Sequence, residues 1–221
     1  METRTSQTPL SVEVSLPITT KTGSSKYRSA NDPSLKVHKK FLLADTPGHG
    51  KLRYHAFENI VKPQNLKGII FMVDAADLSG GQGDEGLRQT AEYLHDLLLL
   101  LQTRSTKGKS SRAPQELPVL IAANKLDLFT ALPAILVKTS LESEITKIRT
   151  SRDKGLFDSG IDMNEMDAGE EKDWLGGVSD GKFEFSQMEE FNVPVTIAGG
   201  NVVGPDRPDV EKWWEWIGSN L

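Results

Sequence analysis

"LPVLIAANKLD", residues 117 to 127, is apolar at almost every position and then turns abruptly polar. A half-buried strand alternates apolar and polar residues. An unbroken apolar run of this length reads as a strand covered on both faces, as in a parallel sheet with helices above and below. "GIIFMVDAAD" (68 to 77) repeats the pattern, and between the two Leu87, Ala91, Leu94, Leu98 and Leu101 recur at helical spacing. "LLLLL" (97 to 101) is therefore the buried face of a helix over 84 to 104. It is far shorter than the roughly 20 residues that cross a membrane, and charge flanks it.

Outward from this core, Leu141, Ile145 and Ile148 mark a second helix over about 131 to 151. "KFEFSQ" (182 to 187) and "VPVTIAGG" (193 to 200) read as short strands or strand-like pieces, and the closing "DVEKWWEWIGSNL" puts Val210, Trp213, Trp216 and Ile217 on one stripe suited to packing on a sheet. Upstream, "LSVEVSL" (10 to 16) alternates and pairs as a long hairpin with "KVHKKFLLAD" (36 to 45), and "YHAFENIVK" is a helix stopped by Pro63. Strands alternating with helices predict a doubly wound α/β domain with a mostly parallel sheet. Such sheets bind ligands beside the carboxyl ends of their strands. Asp45 and Asn124 both fall there.

The chain has 221 residues, 37% hydrophobic and 26% charged, which fits one substantial globular domain. No cysteine is present, so disulfides and cysteine metal sites are excluded. The net charge of -5 gives no sign of a nucleic-acid surface. Its acidity is concentrated in residues 153 to 181, where nine acids face Lys154 and Lys172. That stretch has no hydrophobic period and is expected to loop out as a disordered insertion. No run of about 18 apolar residues exists, so the sequence as it stands is expected to be soluble.

Two strand ends carry chemistry. "DTPG" (45 to 48) offers a carboxylate that can hold Mg²⁺ through water, then a glycine N–H that can reach a terminal phosphate oxygen. By itself the pattern is also a common turn. "NKLD" (124 to 127) is more specific. Asp127 can accept two hydrogen bonds from the N1 and exocyclic amine of guanine, a pattern adenine does not offer. Asn124 can meet the base and tie neighbouring loops together, and the aliphatic stem of Lys125 can cover the base plane. The bland alternative is a helix cap.

Together these motifs resemble the beta subunit of the signal recognition particle receptor, a relative of the Arf and Sar small GTPases. "DTPGHGKLR" is similar to that family's D-x-P-G-H-x-x-L-R, and "VDAAD" sits at its V-D-S-A strand end. "FEFSQ" follows a long insertion as in the family, and "ITKIRTSR" (145 to 152) and "DVEKWWEWI" extend the similarity over nearly the whole chain. The resemblance implies a Ras-like P-loop GTPase fold with GTP and Mg²⁺ as ligands. Thr8 then corresponds to the switch I threonine, engaging Mg²⁺ and the γ-phosphate, and Asp45 and Gly48 open switch II. His49 holds the position of the water-positioning residue, glutamine in Ras-like proteins. It is expected to serve structure or partner contact more than catalysis, making the protein at most a weak GTPase. Ala198, within "IAGG" (197 to 200), aligns with the family's base-edge alanine. His38, His55 and His95 have no motif context.

The family pattern opens with a strand, G-x-x-x-x-G-K-[ST] and a helix, preceded by a membrane-spanning helix. None of these is found here, and none of the Gly-Lys pairs at 50, 108 and 181 combines the upstream glycine with a preceding strand. The sequence therefore reads as one domain over 1 to 221 lacking its first strand, P-loop and first helix. That strand would lie centrally, between the strand ending at Asp45 and the strand "IIFMVDA". What the resemblance implies is a GTP-binding docking subunit on the cytosolic face of the endoplasmic reticulum membrane. Its membrane contact would be the missing helix, and it would bind the N-terminal domain of the receptor's alpha subunit in co-translational targeting. The opposing reading is a nucleotide-free interaction scaffold. A translational GTPase, suggested by D-x-P-G-H, is disfavoured by size and by "FEFSQ".

Overall fold

Three parallel strands form the centre of the molecule: β3 (Ile69–Asp74), β4 (Val119–Asn124) and β5 (Val195–Gly199), in the order β3-β4-β5. The computed structural model describes residues 7–17, 20, 39–62, 65–79, 85–107, 116–158, 174–177, 181–204 and 207–221. Ile69 pairs with Val119, and Val119 with Val195. As the unbroken apolar run predicts, β4 is buried on both faces. Val119, Ile121 and Ala123 point towards α2 (Glu85–Lys107) and α3 (Ala134–Asp158), packing with Leu94, Leu98, Leu141 and Ile145. Leu120 and Ala122 point the other way, against Trp213 of α4 (Glu211–Asn220). The Trp213 indole N–H donates to the Ala198 carbonyl at 3.1 Å, fixing α4 under β5. Helices on both faces make the domain doubly wound.

The hairpin is a second sheet. β1 (Leu10–Ser15) and β2 (Lys40–Asp45) run antiparallel, with Leu10 opposite Asp45 and Val14 opposite Phe41. Residues 36 to 38 of the expected strand lie outside the described residues. Because directly opposed residues share a face, Leu10, Val12, Val14, Phe41 and Leu43 form one apolar side. Phe41 meets the Trp214 ring edge-on at 6.4 Å between centroids, which anchors the hairpin to α4. Farther along the same side the cover stops. Val12 is 44% exposed, Leu43 42%, and Met72 on β3 49%. Among the described residues no pairing joins β2 to β3. Among the described residues the sheet is divided where the family resemblance implies a further central strand, and each part has an edge with no strand beside it.

Helix α1 (Tyr54–Val61) ends before Pro63 as expected and lies on α2 through Phe57 and Tyr93. Three expectations need correction. α3 continues to Asp158, past the predicted end near 151. Past Ile148 the next turn docks by charge, Arg152 Nη1 donating to Asp96 Oδ1 of α2 at 2.9 Å. "KFEFSQ" is not a strand. Glu184 is extended (φ -130°, ψ 141°), but a 3₁₀ helix follows over Phe185–Phe191. The period-two signal is real, since Phe183 and Phe185 both turn inward and meet edge-on at 5.5 Å. Side chains of α3 take the place of a partner strand: Thr146 Oγ1 and Glu142 Oε1 accept from the N–H groups of Phe183 and Phe185, each at 2.9 Å.

The third correction concerns the acidic stretch. Residues 159–173 and 178–180 lie outside the described residues, but 174–177 does not loop out. Leu175 is fully buried in the core. Gln102 of α2 donates to the Trp174 carbonyl at 2.6 Å and accepts from the Gly176 N–H at 2.8 Å. Gly176 and Gly177 both have φ near +77°, the left-handed turn that glycine adopts without a Cβ clash (76° and 78°).

Candidate functional site

The parallel register that aligns Asp74 with Asn124 brings two polar side chains to the same level at adjacent strand ends. Beyond Asn124 the backbone turns left-handed at Lys125, with φ +67°. This sends the Lys125 side chain back over β3, where Nζ donates to Asp74 Oδ2 at 2.5 Å. The other oxygen of Asp74 accepts from the N–H groups of Ala76 (3.0 Å) and Asp77 (3.4 Å). One carboxylate thus caps the turn after β3 and holds the lysine of the next loop.

The third strand end is laced in from the other side. Asn124 Oδ1 accepts from the Val202 N–H at 3.1 Å, and Leu126 N–H donates to the Gly200 carbonyl at 3.2 Å. Asp127 follows with its carboxylate exposed beside the joined loops. The glycines of "IAGG" have a packing reason. A Cβ at Gly199 would collide with the Leu126 side chain, and one at Gly200 with the Asp209 carbonyl. Ala198 does not reach this rim. It lies within β5 opposite Ala122, packed in the cluster with Trp213. The residues level with the loop are Gly200, Asn201 and Val202.

The second group of candidate residues stands at the end of the hairpin. The Leu10–Asp45 register places Thr8 and Asp45 at the same end, both exposed. Two oxygen donors of this kind suit a hard cation that keeps several waters and phosphate ligands. Among the described residues no group of three or more His, Asp or Glu side chains forms a metal cage. Pro47 is buried and Gly48 exposed. The Gly48 carbonyl accepts from Arg53 Nε at 3.5 Å, and the Arg53 guanidinium lies 4.2 Å from the Tyr93 ring centroid. A Cβ at Gly48 would meet nothing within 4 Å, so packing inside the chain does not explain a glycine there. His49 accepts from the Lys51 N–H through Nδ1 at 3.3 Å and caps the short 3₁₀ turn Gly50–Leu52.

Asn124, Lys125 and Asp127 are therefore assembled at one rim, and Thr8, Asp45 and Gly48 at another, on separate sheets. Two contributors lie within quoted motifs, but the motifs do not show what they touch. Asp74 was visible only as a strand end, although Asp before small residues commonly caps its own turn. Arg53 carries no signal of its role, because its partner Tyr93 is 40 residues away on another helix. Of the remaining histidines, His55 lies against Tyr54, His95 is buried, and His38 is outside the described residues.

A doubly wound α/β domain with D-x-x-G and N-K-x-D at its strand ends defines the class of the small GTPases. The chain belongs to the signal recognition particle receptor beta subunit family, whose description it matches over residues 3–193. It is 33% identical over 180 residues to signal recognition particle receptor subunit beta of Saccharomyces cerevisiae. That match takes in 81% of this chain and 66% of the yeast protein, just under two thirds of the relative's length. Two solved structures from Chaetomium thermophilum are also similar. One, the receptor SRb-GTP/SRX complex, has a TM-score of 0.77 and 41% identity, covering 100% of this chain and 81% of that chain. The other, SRb-GDP-Mg, has a TM-score of 0.69 and 46% identity, covering 82% and 80%.

Proposed function

We propose that this chain is the greater part of a GTP-binding regulatory and docking subunit of the signal recognition particle receptor, acting in co-translational targeting to the endoplasmic reticulum. The observation that carries the reading is the rim itself: Asn124 ties two loops, Lys125 lies across the strand ends, and Asp127 stands exposed beside them. In that arrangement Asp127 accepts from the N1 and exocyclic amine of guanine, and the Lys125 stem covers the base. Ala198 lies back from the rim, so the base edge falls to the backbone amides of residues 200–202.

At the hairpin end, Thr8 and Asp45 would hold Mg²⁺, the latter through water, and the Gly48 N–H would meet a terminal phosphate oxygen. The metal would supply charge neutralisation of the phosphates. The open space at Gly48 supports close approach of a ligand. His49 already caps a turn, which suits a structural or contact role and at most weak hydrolysis. A phosphate cradle is not encoded in these residues. The divided sheet and the exposed Val12, Leu43 and Met72 suit a strand–loop–helix unit seated between β2 and β3.

A related SRb was solved with GTP and SRX, which supports a partner reading here. We assign that partner as the N-terminal domain of the alpha subunit, bound by the switch face when GTP is loaded. Among the described residues no helix is long and apolar enough to cross a membrane. We assign the protein to the cytosolic face of the endoplasmic reticulum membrane. The test is capture of the alpha-subunit domain by the protein carrying its phosphate cradle, loaded with GTP or with GDP. Preferential capture by the GTP form supports the switch. Equal capture in both states leaves a constitutive scaffold.

A further inference from the structure

Lys125 is one of three non-glycine residues with positive φ among the described residues. A long side chain is disfavoured in the left-handed region, and such a conformation persists only where its surroundings over-determine it. Two contacts do so here. Asn124 is held through its side chain by Val202, and Lys125 itself by Asp74. The neighbouring carboxylate does not compete, since Asp77 is turned towards Gly86 at the start of α2. Asp74 is also fixed independently, because its Oδ1 is committed to the turn amides of Ala76 and Asp77. The lysine is thus tied to a rigid anchor.

We propose that Asp74 is a positioning residue for base recognition: through its Oδ2 it draws Lys125 across the ends of β3 and β4. In doing so it stabilises the left-handed turn that aims Asn124 and Asp127. This rests on the guanine-binding reading above. A free Lys125 would leave its stem off the base plane and let the turn relax, although every residue that meets the base would still be present. The two oxygens have separable duties. An asparagine at 74 keeps a carbonyl acceptor for the turn and loses the charge that holds the ammonium.

The experiment uses the full 221-residue chain as wild type, Asp74→Asn, Lys125→Met and the double variant. Amide–water exchange is measured by NMR without ligand, and guanosine is then titrated into each. The Leu128 N–H donates to the Lys125 carbonyl at 3.0 Å and so reports on the turn. In Asp74→Asn the Val202 and Leu128 amides should exchange roughly two- to fivefold faster, the size a half-exposed charge pair supports, while Ala76 stays unchanged. Lys125→Met should show the same pattern, and the double variant should add nothing to it. Guanosine binding should weaken by a similar factor in Asp74→Asn, but not when Asp74→Asn is added to Lys125→Met. Unchanged Val202 and Leu128, a change at Ala76 alone, or additive effects would overturn the proposal. A wild-type spectrum that guanosine does not move, with the exchange pattern intact, overturns the guanine reading and with it the base-recognition role. The loop contact alone would then remain.

Discussion

Asn124 and Val202 lie 78 residues apart in sequence, yet the side-chain carbonyl of one accepts the backbone N–H of the other at 3.1 Å. Asn124 therefore joins the loops after β4 and β5. Asn124→Ala should cost at most about 1 kcal/mol of stability, since this hydrogen bond is exposed to solvent, and should loosen the Val202 loop. Urea unfolding together with exchange of the Val202 amide checks both effects.

Phe185 is buried in the core, and its backbone N–H is held by Glu142. Phe185→Ala should destabilise by about 3–5 kcal/mol through lost burial and a residual cavity. Glu142→Ala should cost about 1–3 kcal/mol by leaving the Phe185 amide without its acceptor. Paired denaturant curves distinguish the two, and a loss from Phe185→Ala below that from Glu142→Ala would refute this packing account.

Replacing residues 155–178 by a Gly/Ser linker removes Leu175 and the backbone partners of Gln102. The linker should therefore lower stability by about 2–5 kcal/mol, and Leu175→Ala alone should reproduce most of that loss. A thermal midpoint unchanged by the linker would show that this docked segment is dispensable.

Burial pushes the Asp96 carboxyl up, but hydrogen bonds from His95 and Arg152 and the Arg152 charge outweigh it, and its pKa lies below the ordinary 3.8. With the folded value depressed, the contribution to stability is present above the unfolded pKa. It is lost as pH falls through the folded one. Asp96→Asn should therefore weaken the fold at neutral pH and flatten the loss of stability below about pH 4. Unfolding midpoints measured from pH 2.5 to 7 read out the difference between the two slopes.

The parts of this structure legible in sequence are those where one local signal decides. The continuous apolar run of β4 predicts two-sided burial, and helical spacing predicts α2, α4 and most of α3. "NKLD" marked a rim whose loops Asn124 does tie together. Where packing is decided by distant partners, sequence reads poorly. Phe183 and Phe185 alternate like a strand, but their amides find side chains on α3. Leu175 sits in a run of acids with no periodicity, and its burial depends on Gln102, more than 70 residues earlier. The expected base-edge role of Ala198 does not follow from "IAGG", because a tetrapeptide does not reveal where β5 ends. The contact Asp74 makes is not legible in "VDAAD", because its partner, Lys125, lies 51 residues downstream.

Guanine recognition by Asp127 is the claim on which the functional account stands. The most direct measurement is an NMR titration of the full 221-residue chain, and of its Asp127→Asn variant, with GTP and with xanthosine triphosphate. Without a phosphate cradle, binding should be no tighter than millimolar, because loop amides and a lysine normally provide most of the phosphate affinity. The wild type should shift its Asn124 and Asp127 amides with GTP in preference to the xanthine nucleotide. Asp127→Asn should reverse that order, since it exchanges an acceptor for a donor facing the base. An unchanged preference, or no shift at these amides with either nucleotide, would contradict the account and leave "NKLD" as a helix cap.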